Sequence, residues 1–376
     1  MDLSHCYLHT LGDVEAGKLA ELRARLPDIF ERTRAASEEA ESKEKLTIWG
    51  VSLNEESDAS NIVLLKFLRA EDLNVDKAAG RLLATLRWRY DCCIDTVAAS
   101  ELPDGFSGHD TIGGADKLGR PVLVSRFGGM DLQKVFGNTE VFVRYRAKIM
   151  EQAVQQLSFK KGEPEVLCQV HDYTGVPVLF QTSEVKGSVT AVTKVFGDHY
   201  PEIKGMTIFL NFPSAFSGLW KAFCVFIPER TRKKFLILGE GAHAELFTHV
   251  GPEVLPEGVG GMIRTPPGPL NGPCELVTVA ARDTKEVVML EVPTPAKGTW
   301  ELRVCNFEVA YEVVFVPTDG PEQVIAKSEP GQYLEATAGI VSGSWSADKG
   351  GCLKCRFKNE RAWFRSRLCV CRAGVC

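Results

Sequence analysis

An acidic residue and a basic cluster flank the most apolar segment of this 376-residue chain. Glu202 stands before the segment, and Arg232, Lys233 and Lys234 follow it. A carboxylate accepts hydrogen bonds, whereas ammonium and guanidinium groups donate them and attract anions. Groups of both kinds beside an apolar surface suit a ligand with one polar end and one oily end. The arrangement therefore predicts a site for an amphipathic molecule.

The segment between these charges has the periodicity of a helix. Its large apolar residues share one broad face by their spacing: Phe212, Phe216, Leu219, Trp220, Phe223, Phe226 and Ile227. Burial of each is worth roughly 1.5–3 kcal/mol, so this face must be covered. Pro213 and Pro228 bracket about 14 residues, fewer than the roughly 20 that cross a bilayer. The segment is either a buried core helix or a helix that closes a cavity filled by lipid.

Composition limits the class of protein. The chain is 44% hydrophobic and 25% charged, which is typical of a globular protein, and its length suggests two or three domains. A formal net charge of -5 argues against a general nucleic-acid binder. The first residues lack a basic segment followed by an apolar core. We therefore expect no secretory signal and a cytoplasmic location.

The twelve cysteines are scattered, and we expect them to be reduced thiols. Cys352-x-x-Cys355 followed by Cys369-x-Cys371 resembles a four-thiolate zinc site. Strand alternation, however, places Cys369 and Cys371 on one face but Cys352 and Cys355 on opposite faces. Small apolar strand residues are the favoured interpretation, and we predict no metal and no cofactor other than a bound lipid.

The sequence contains no complete catalytic motif among those considered below. Residues 114–121 imitate a phosphate loop but lack its Lys-Ser/Thr ending. No G-x-S-x-G nucleophile motif occurs. His171 and Asp172 are neighbours on a predicted strand, so they point to opposite sides. These observations predict that the chain is not an enzyme.

The elements that must position these groups begin with helices. Residues 1–60 are acidic, and apolar residues at helical spacing there predict one or two surface helices. A helical hairpin follows; its first helix is capped by Asp58 or Ser60 and its second by Asn74 or Asp76. Beyond residue 110, predicted strands near 121–124, 165–170, 206–210 and 235–238 alternate with helices. This alternation predicts an α/β layer with a mostly parallel sheet.

A Pro-rich linker separates this layer from a region with a different sequence pattern. Residues 264–273 contain four prolines, and short alternating runs after them predict an antiparallel β-sandwich. We predict five parts: an acidic helical extension (1–56), a helical region (57–100), an α/β domain (101–263), the linker (264–273) and the β-sandwich (274–376).

Several motifs in this order resemble the CRAL-TRIO lipid-transfer family. They are L-L-K-F-L-R-A-E-D-L-N-V-D-K-A, W-R, D-K-L-G-R-P-V, V-H-D, Y-P-E, K-K-F-L-I-L-G and G-V-G-G. The F-K-N and W-F-R-S-R-L motifs near the C-terminus resemble the end of a GOLD domain, a β-sandwich found in trafficking proteins. A lipid-transfer module followed by a GOLD domain resembles the patellin group.

The resemblance implies one lipid in an apolar pocket behind a gate helix, which corresponds to about residues 215–227. Gln169 and the large apolar residues of this segment would line the pocket and gate. Family members that bind phosphatidylinositol hold its head group with an acid and with a Thr and a Lys after the gate. The matching positions are Glu202, Thr231 and Lys234.

Some positions depart from the family pattern. Glu71 and Asp72 stand where the family often has basic residues, and Ile203 replaces the usual basic residue after Y-P-E. Leu167 and Gln169 replace the Ser and Thr of phosphatidylcholine binders. Phosphatidylinositol or a phosphoinositide remains favoured, while an apolar ligand stays open.

Positive charge concentrates near the C-terminus, where we expect contact with an anionic membrane surface. The predicted contact residues are Lys358, Arg361, Trp363, Phe364, Arg365 and Arg367. The alternative is a solvated loop whose aromatic residues fill the sandwich.

We expect a monomeric, peripherally membrane-associated protein that binds one lipid and transfers or presents it at membranes. The alternative is a membrane-trafficking adaptor that senses lipid and binds a partner protein through its GOLD-like domain, without net transfer.

Overall fold

The computed structural model describes residues 11–35, 46–177, 183–214, 220 and 229–375. The chain forms two compact units, Met1–Gly239 and Glu240–Cys376. Among the described residues, no helix is long and apolar enough to cross a bilayer. The predicted five-part division of the chain stays a prediction.

The first unit begins with helices that pack on one another. Their bounds are α1 Asp13–Ala24, α2 Leu26–Ala35, α3 Asp58–Ala70, α4 Val75–Asp91 and α5 Ile94–Val97, with a small antiparallel ribbon of β1 Thr47–Ile48 and β2 Val51–Ser52. Leu22 and Ile29 are buried in the same core as α3 and α4. The helices predicted near the N-terminus therefore form, but they are part of the core as well as of the surface.

Side-chain caps fix where the hairpin helices begin. Ser57 caps α3 in a capping box with Ser60, because Ser57 is still extended and its hydroxyl can accept from the Ser60 N–H. The prediction of Asp58 or Ser60 as the cap is therefore wrong, and the nearer of the two lies one residue after the observed cap. Asn74 caps α4 as predicted, accepting from the Lys77 N–H at 3.0 Å.

A five-stranded mixed sheet forms the centre of the first unit. Its strands, in spatial order, are β3 Asp110–Ala115, β4 Pro121–Arg126, β5 Leu167–Asp172, β6 Lys204–Leu210 and β7 Phe235–Ile237. The β3–β4 pair is antiparallel and the other pairs are parallel, which confirms the predicted mostly parallel sheet. Strand β3 was not predicted, because its two glycines interrupt the apolar pattern that marks a strand.

Further helices of this unit are α6 Leu132–Phe136, α7 Thr139–Val154, α8 Ser183–His199 and α9 Glu229–Arg232. Met150 of α7 contacts Gln169 of β5, so α7 packs on the side of the sheet to which Gln169 points. This side, shared by Gln169, His171, Thr207 and Phe209, is hereafter the α7 face.

The second unit contains a β-sandwich. A helix α10 His243–His249 precedes it, followed by β8 Glu275–Val279, β9 Thr284–Val292, β10 Ala296–Val304, β11 Glu308–Pro317, β12 Gln323–Lys327, β13 Leu334–Glu335, β14 Val341–Ala347, β15 Gly351–Lys358 and β16 Arg367–Val375. One sheet has the order β14-β10-β16-β8 and the other β12-β11-β15-β9, with β13 beside β11. All pairs are antiparallel, which confirms the predicted architecture.

Trp300, Phe315, Trp345 and Phe357 fill the core between the two sheets. Strands β8, β12 and β14 were not predicted. Alternation in β14 is masked by small polar residues on its outer side, where Val-Ser-Gly-Ser-Trp-Ser-Ala contains one large buried side chain.

Residues after α10 are tied to the sandwich by buried arginines. Arg303 donates to the carbonyl oxygens of Glu257 and Gly261, at 2.8 and 3.0 Å. Arg372 donates to the carbonyl oxygen of Met262 at 2.7 Å and pairs with Glu301. The end of the region that resembles CRAL-TRIO thus packs with the sandwich.

The C-terminal cysteines belong to this core. Cys355, Cys369 and Cys371 are buried, and burial raises the pKa of each thiol. Cys352 on the other side of β15 is partly exposed, as the alternation predicts. Among the described residues, no three His, Cys, Asp or Glu side chains are grouped to hold a metal.

Candidate functional site

Strand register arranges the α7 face in rows. One row joins Leu123, Gln169, Thr207 and Phe235 across four strands, and the next joins Ser125, His171, Phe209 and Ile237. Neighbours in register on parallel strands project to the same side of a sheet. Polar, aromatic and aliphatic side chains therefore share this face.

Aromatic rings surround Phe209. Its ring centroid lies 5.4 Å from Trp220, 5.6 Å from Phe212 and 5.7 Å from His171. Trp220 also meets Phe235 edge-on at 5.2 Å. The structure thus brings three of the predicted pocket and gate residues to the α7 face: Gln169, Phe212 and Trp220. Phe216, Leu219, Phe223, Phe226 and Ile227 lie outside the described residues.

The two faces of the sheet differ in how completely they are covered. On the opposite face, Val170 and Ile208 are fully buried. Their sequence neighbours on the α7 face, His171 and Phe209, are only partly buried although both lie on interior strands. A side chain there remains accessible only where its neighbours leave space. The α7 face is therefore not closely covered by the described side chains at these two positions.

Three polar atoms on this face lack a hydrogen-bond partner among the described residues. Gln169 is 1% exposed and Thr207 2% exposed, yet Gln169 Oε1 and Thr207 Oγ1 have no hydrogen-bond partner in the described part of the chain. His171 Nδ1 also lacks one there. The pKa of His171 lies well below its usual range because its partly buried ring is desolvated and because Arg146 and Lys204 lie close. Buried polar atoms are normally paired, so each orphan requires an explanation.

Arg146 of α7 is held by a compact network on the same side. Its guanidinium donates to Asp110 Oδ1 at 3.0 Å and to the Ser125 hydroxyl at 3.2 Å. The Tyr145 hydroxyl donates to the other oxygen of Asp110. The positive charge of Arg146 is thus compensated by a carboxylate.

A second site lies at the amino-terminal ends of the parallel strands. Glu202 precedes β6, and its carboxylate accepts from Lys234 Nζ at 2.9 Å. Glu202 has a left-handed backbone with φ of 52°. The structure thus brings together two of the predicted head-group residues. Thr231 lies in α9, but its side chain is outside the described part of the structure.

Lys66 belongs to this site and was missed in the sequence. Its ammonium is fully buried and donates to the carbonyl oxygens of Glu165 and Glu202, at 2.8 and 3.0 Å. The Glu165 carboxylate lies 3.9 Å away. Burial lowers the pKa of Lys66, and these two acids oppose that shift. Lys66, Glu165, Glu202 and Lys234 are hereafter the ionic cluster.

The sequence carried a signal for Lys66. It is a lysine within Ile-Val-Leu-Leu-Lys-Phe-Leu, where every neighbour is apolar and buried. A lysine in such a run must reach a polar partner, because an unpaired ammonium in the core is costly.

The predicted membrane contacts lie at one end of the β-sandwich. Trp363 is 70% and Phe364 93% exposed, in the loop between β15 and β16. Phe307 of the β10–β11 turn is also exposed. We define the sandwich tip as these three aromatic residues with the three arginines that accompany them, Arg282, Arg361 and Arg365.

Arginines of the tip stack on aromatic rings. Arg282 lies 3.6 Å above the Trp363 ring, Arg365 lies 4.9 Å from Phe307, and Arg361 lies 4.4 Å from the Tyr333 ring. Asn359 fixes the loop, since its side-chain amide donates to carbonyl oxygens of Val279, Ala280 and Arg365.

Two predicted contact residues are placed differently. Arg367 is only 7% exposed, and its guanidinium donates to the carbonyl oxygens of Glu308 and Arg365. These hydrogen bonds hold the Arg367 guanidinium within the sandwich, so we do not include Arg367 in the proposed membrane contact. Lys358 is half-buried beside the Glu312 carboxylate, at 3.5 Å.

Comparison with known proteins agrees with this fold. The family model for the CRAL/TRIO domain matches residues 106–261, and that for the CRAL/TRIO N-terminal domain matches residues 18–84. The second match begins within the segment that sequence reasoning treated as an extension.

Relatives cover most of the chain. Patellin-6 of Arabidopsis thaliana is 30% identical over 341 residues, which is 87% of this chain and 80% of that protein. Phosphatidylinositol transfer protein SFH5 of Cryptococcus neoformans var. neoformans serotype D is 32% identical over 246 residues, which is 58% of this chain and 78% of that protein. The crystal structure of Sfh5 matches with a TM-score of 0.58 and 25% identity, covering 70% of this chain and 89% of that one. The chain therefore belongs to the CRAL/TRIO family, as a patellin-like member in which a β-sandwich follows the CRAL/TRIO region.

Proposed function

We propose that this protein is a non-enzymatic lipid carrier that holds one lipid over the α7 face and transfers it between membranes. The observation that carries the proposal is the incomplete cover of that face, where Phe209 and His171 stay accessible in the middle of the sheet. Aromatic walls suit acyl chains, and the polar atoms that have no described partner suit a polar group near the acyl chains. The relative named as a phosphatidylinositol transfer protein supports transfer as the activity.

The gate of this carrier is residues 215–227, with Trp220 as its inner contact on Phe209 and Phe235. At a bilayer the apolar face of the gate exchanges contacts with protein for contacts with acyl chains. Both environments are apolar, so the exchange costs little free energy.

The favoured head group is phosphatidylinositol or a phosphoinositide, held by Glu202, Thr231 and Lys234. In the structure the Lys234 ammonium forms an ion pair with the Glu202 carboxylate. A lipid phosphate competes for the Lys234 ammonium, while inositol hydroxyls donate to the freed carboxylate. Ligand binding then replaces one charge-assisted contact by two.

The sandwich tip is the proposed membrane contact. Exposed tryptophan and phenylalanine beside arginine suit the interface of an anionic bilayer, since rings enter the acyl boundary while guanidinium groups stay at the phosphates. This makes the protein a peripheral one at the cytoplasmic side of a membrane.

Transfer of labelled lipid between vesicles tests the proposal. Trp220→Asp should lower the transfer rate about tenfold or more, because a carboxylate opposes entry of the gate into apolar surroundings. Val14→Asp, at an exposed position of α1, is the matched control and should transfer normally. Normal transfer by Trp220→Asp would remove the gate from the account.

The same assay separates the adaptor alternative. A carrier moves labelled lipid catalytically, whereas an adaptor binds lipid without exchanging it. Lipid binding by the wild-type chain without any transfer would favour the adaptor.

A further inference from the structure

Lys204 stands at the start of β6 and projects to the α7 face. Its register partner is Leu167, and the register then shifts so that Cys168 pairs with Met206. Gly205 is the additional residue, and a Cβ there would meet the Val166 side chain at 2.5 Å. The bulge therefore requires glycine, and it turns Lys204 to the same side as Thr207 although the two are three positions apart.

The ammonium of Lys204 lies among α7, α8 and β5. Its Nζ is 5.0 Å from the ring centroid of Phe196 in α8. Both Arg146 of α7 and Lys204 lower the pKa of His171 in β5. These contacts locate the charge beside the row of Gln169 and Thr207.

Lys204 has no acidic partner in the described part of the chain. Burial and then the nearby Arg146 lower its pKa to about 8, and no described carboxylate forms an ion pair with it. Arg146, in contrast, pairs with Asp110. A partly buried cation without a carboxylate partner among the described residues is costly, so its position points to a role in binding.

The groups beside it are also unsatisfied and can all donate to an anion. Among the described residues, the Gln169 amide Nε2 has only the weak acceptor Met150 Sδ, at 3.9 Å. The Thr207 hydroxyl has no described partner. An ammonium, an amide and a hydroxyl together form a set of donors that matches the oxygens of a phosphate or a carboxylate.

We propose that Lys204, Gln169 and Thr207 form an anion subsite inside the lipid pocket, which accepts the phosphate or carboxylate of a bound lipid. The inference rests on the proposed function, because it requires a lipid on the α7 face. It adds a site distinct from the ionic cluster, where Lys234 is already occupied by Glu202.

The subsite selects by charge. A quaternary ammonium next to the phosphate is repelled by Lys204, so choline lipids bind less well than lipids with a net negative head. Phosphatidic acid and free fatty acid share the required chemistry, one with a phosphate and the other with a carboxylate.

Lipid loading from vesicles tests this subsite in the full-length chain. Separate phosphatidylcholine vesicles contain phosphatidic acid, oleic acid or diacylglycerol, and mass spectrometry counts the lipid bound after re-isolation. Lys204→Met should lower loading of the anionic probes about tenfold and leave diacylglycerol loading unchanged. Lys204→Arg should restore anionic loading, because it restores the charge.

The outcomes divide cleanly. A wild-type preference for phosphatidic acid assigns a phosphate, and a preference for oleic acid assigns a carboxylate; either supports the subsite. Equal anionic loading by wild type and Lys204→Met overturns it. If the wild-type chain loads no lipid at all, including diacylglycerol, the proposed function itself fails, and that result is distinguishable from a loss confined to anionic probes.

The dependence on pH gives a second readout. Anionic loading should weaken as pH rises through about 8, since Lys204 then loses its proton. Arg146, its partner Asp110 and His171 face the same space, but the pKa of His171 is far lower and the pKa values of Arg146 and of nearby Tyr145 and Tyr173 are raised. His199 at the end of α8 has its pKa lowered to about 4. A profile that is the same in wild type and Lys204→Met would also overturn the assignment.

Discussion

The lysines of the ionic cluster and the lysine of the α7 face differ in their partners. In the ionic cluster, Lys66 and Lys234 each stand beside a carboxylate, and Lys66 also holds two main-chain carbonyl groups. On the α7 face, Lys204 meets an aromatic ring and another cation. The first arrangement stabilises the folded chain without a ligand, whereas the second is complete only when an anion arrives.

The difference indicates how one sheet serves two purposes. Partnered charges at the strand ends join α3 to the loops before β5 and β6, so they support the architecture. Groups further along the same strands that have no partner among the described residues reserve binding free energy for a ligand. Substitutions in the ionic cluster should therefore lower the stability of the fold. Substitutions of the polar groups on the α7 face should raise it or leave it unchanged.

The largest effect is expected at Lys66. Lys66→Met removes the ammonium beside the buried Glu165 and two hydrogen bonds to carbonyl oxygens, which should lower the free energy of unfolding by about 3–5 kcal/mol. Chemical denaturation measures this change. Lys77→Met, on the exposed side of α4, is the control and should stay within about 0.5 kcal/mol of wild type. A loss no larger than that of the control would remove the structural role of the ionic cluster.

The two faces of β6 should differ next. Ile208→Ala on the closed face should cost about 2–5 kcal/mol, because it leaves a cavity in solid packing. Thr207→Val on the α7 face retains shape and removes a hydroxyl that has no described partner, so its stability should equal or exceed that of wild type. Equal losses at both positions in denaturant titrations would show that the α7 face is packed like the other.

Replacement of Lys204 should change the free energy of unfolding in the opposite direction to replacement of Lys66. Its folded pKa of about 8 lies below the unfolded value of roughly 10.4. The unfolded chain therefore binds more protons between these values, and wild-type stability should rise with pH across that window. Lys204→Met should be about 1–3 kcal/mol more stable at neutral pH. It should lose the part of the rise that Lys204 contributes and keep the part from Lys66, whose pKa is also lowered. Thermal or chemical unfolding that shows a destabilised variant would contradict the uncompensated charge.

The smallest effect concerns the sandwich tip. Phe364→Ser should weaken binding to anionic vesicles about tenfold, since burial of one phenylalanine is worth roughly 1.5–3 kcal/mol. Its melting temperature should not change, because the ring is exposed in the folded chain. Val324→Ser, at an exposed position of β12, is the matched control for flotation. Unchanged flotation by Phe364→Ser would dismiss the tip as the membrane contact.

Periodicity and caps allowed much of the fold to be predicted from sequence. Helix α4 begins after Asn74 as predicted, and the apolar run at 206–210 is strand β6. Glu202 and Lys234 were predicted as one site, and they form an ion pair. These features depend on local pattern or on order along the chain.

Other features depend on geometry that the sequence conceals. The bulge at Gly205 decides which way Lys204 points, and alternation alone would place it on the other face. Arg367 resembled an exposed cation, but nearby carbonyl groups draw it inside. The sandwich tip joins Arg282 to Trp363 across two strand turns, a proximity that only folding creates.

Native mass spectrometry of the intact chain, after incubation with mixed vesicles, tests the central claim most directly. A space over the α7 face that holds one lipid predicts a single added mass of one lipid per chain, drawn mainly from the anionic components. A chain that keeps its bare mass with every vesicle composition would contradict the account.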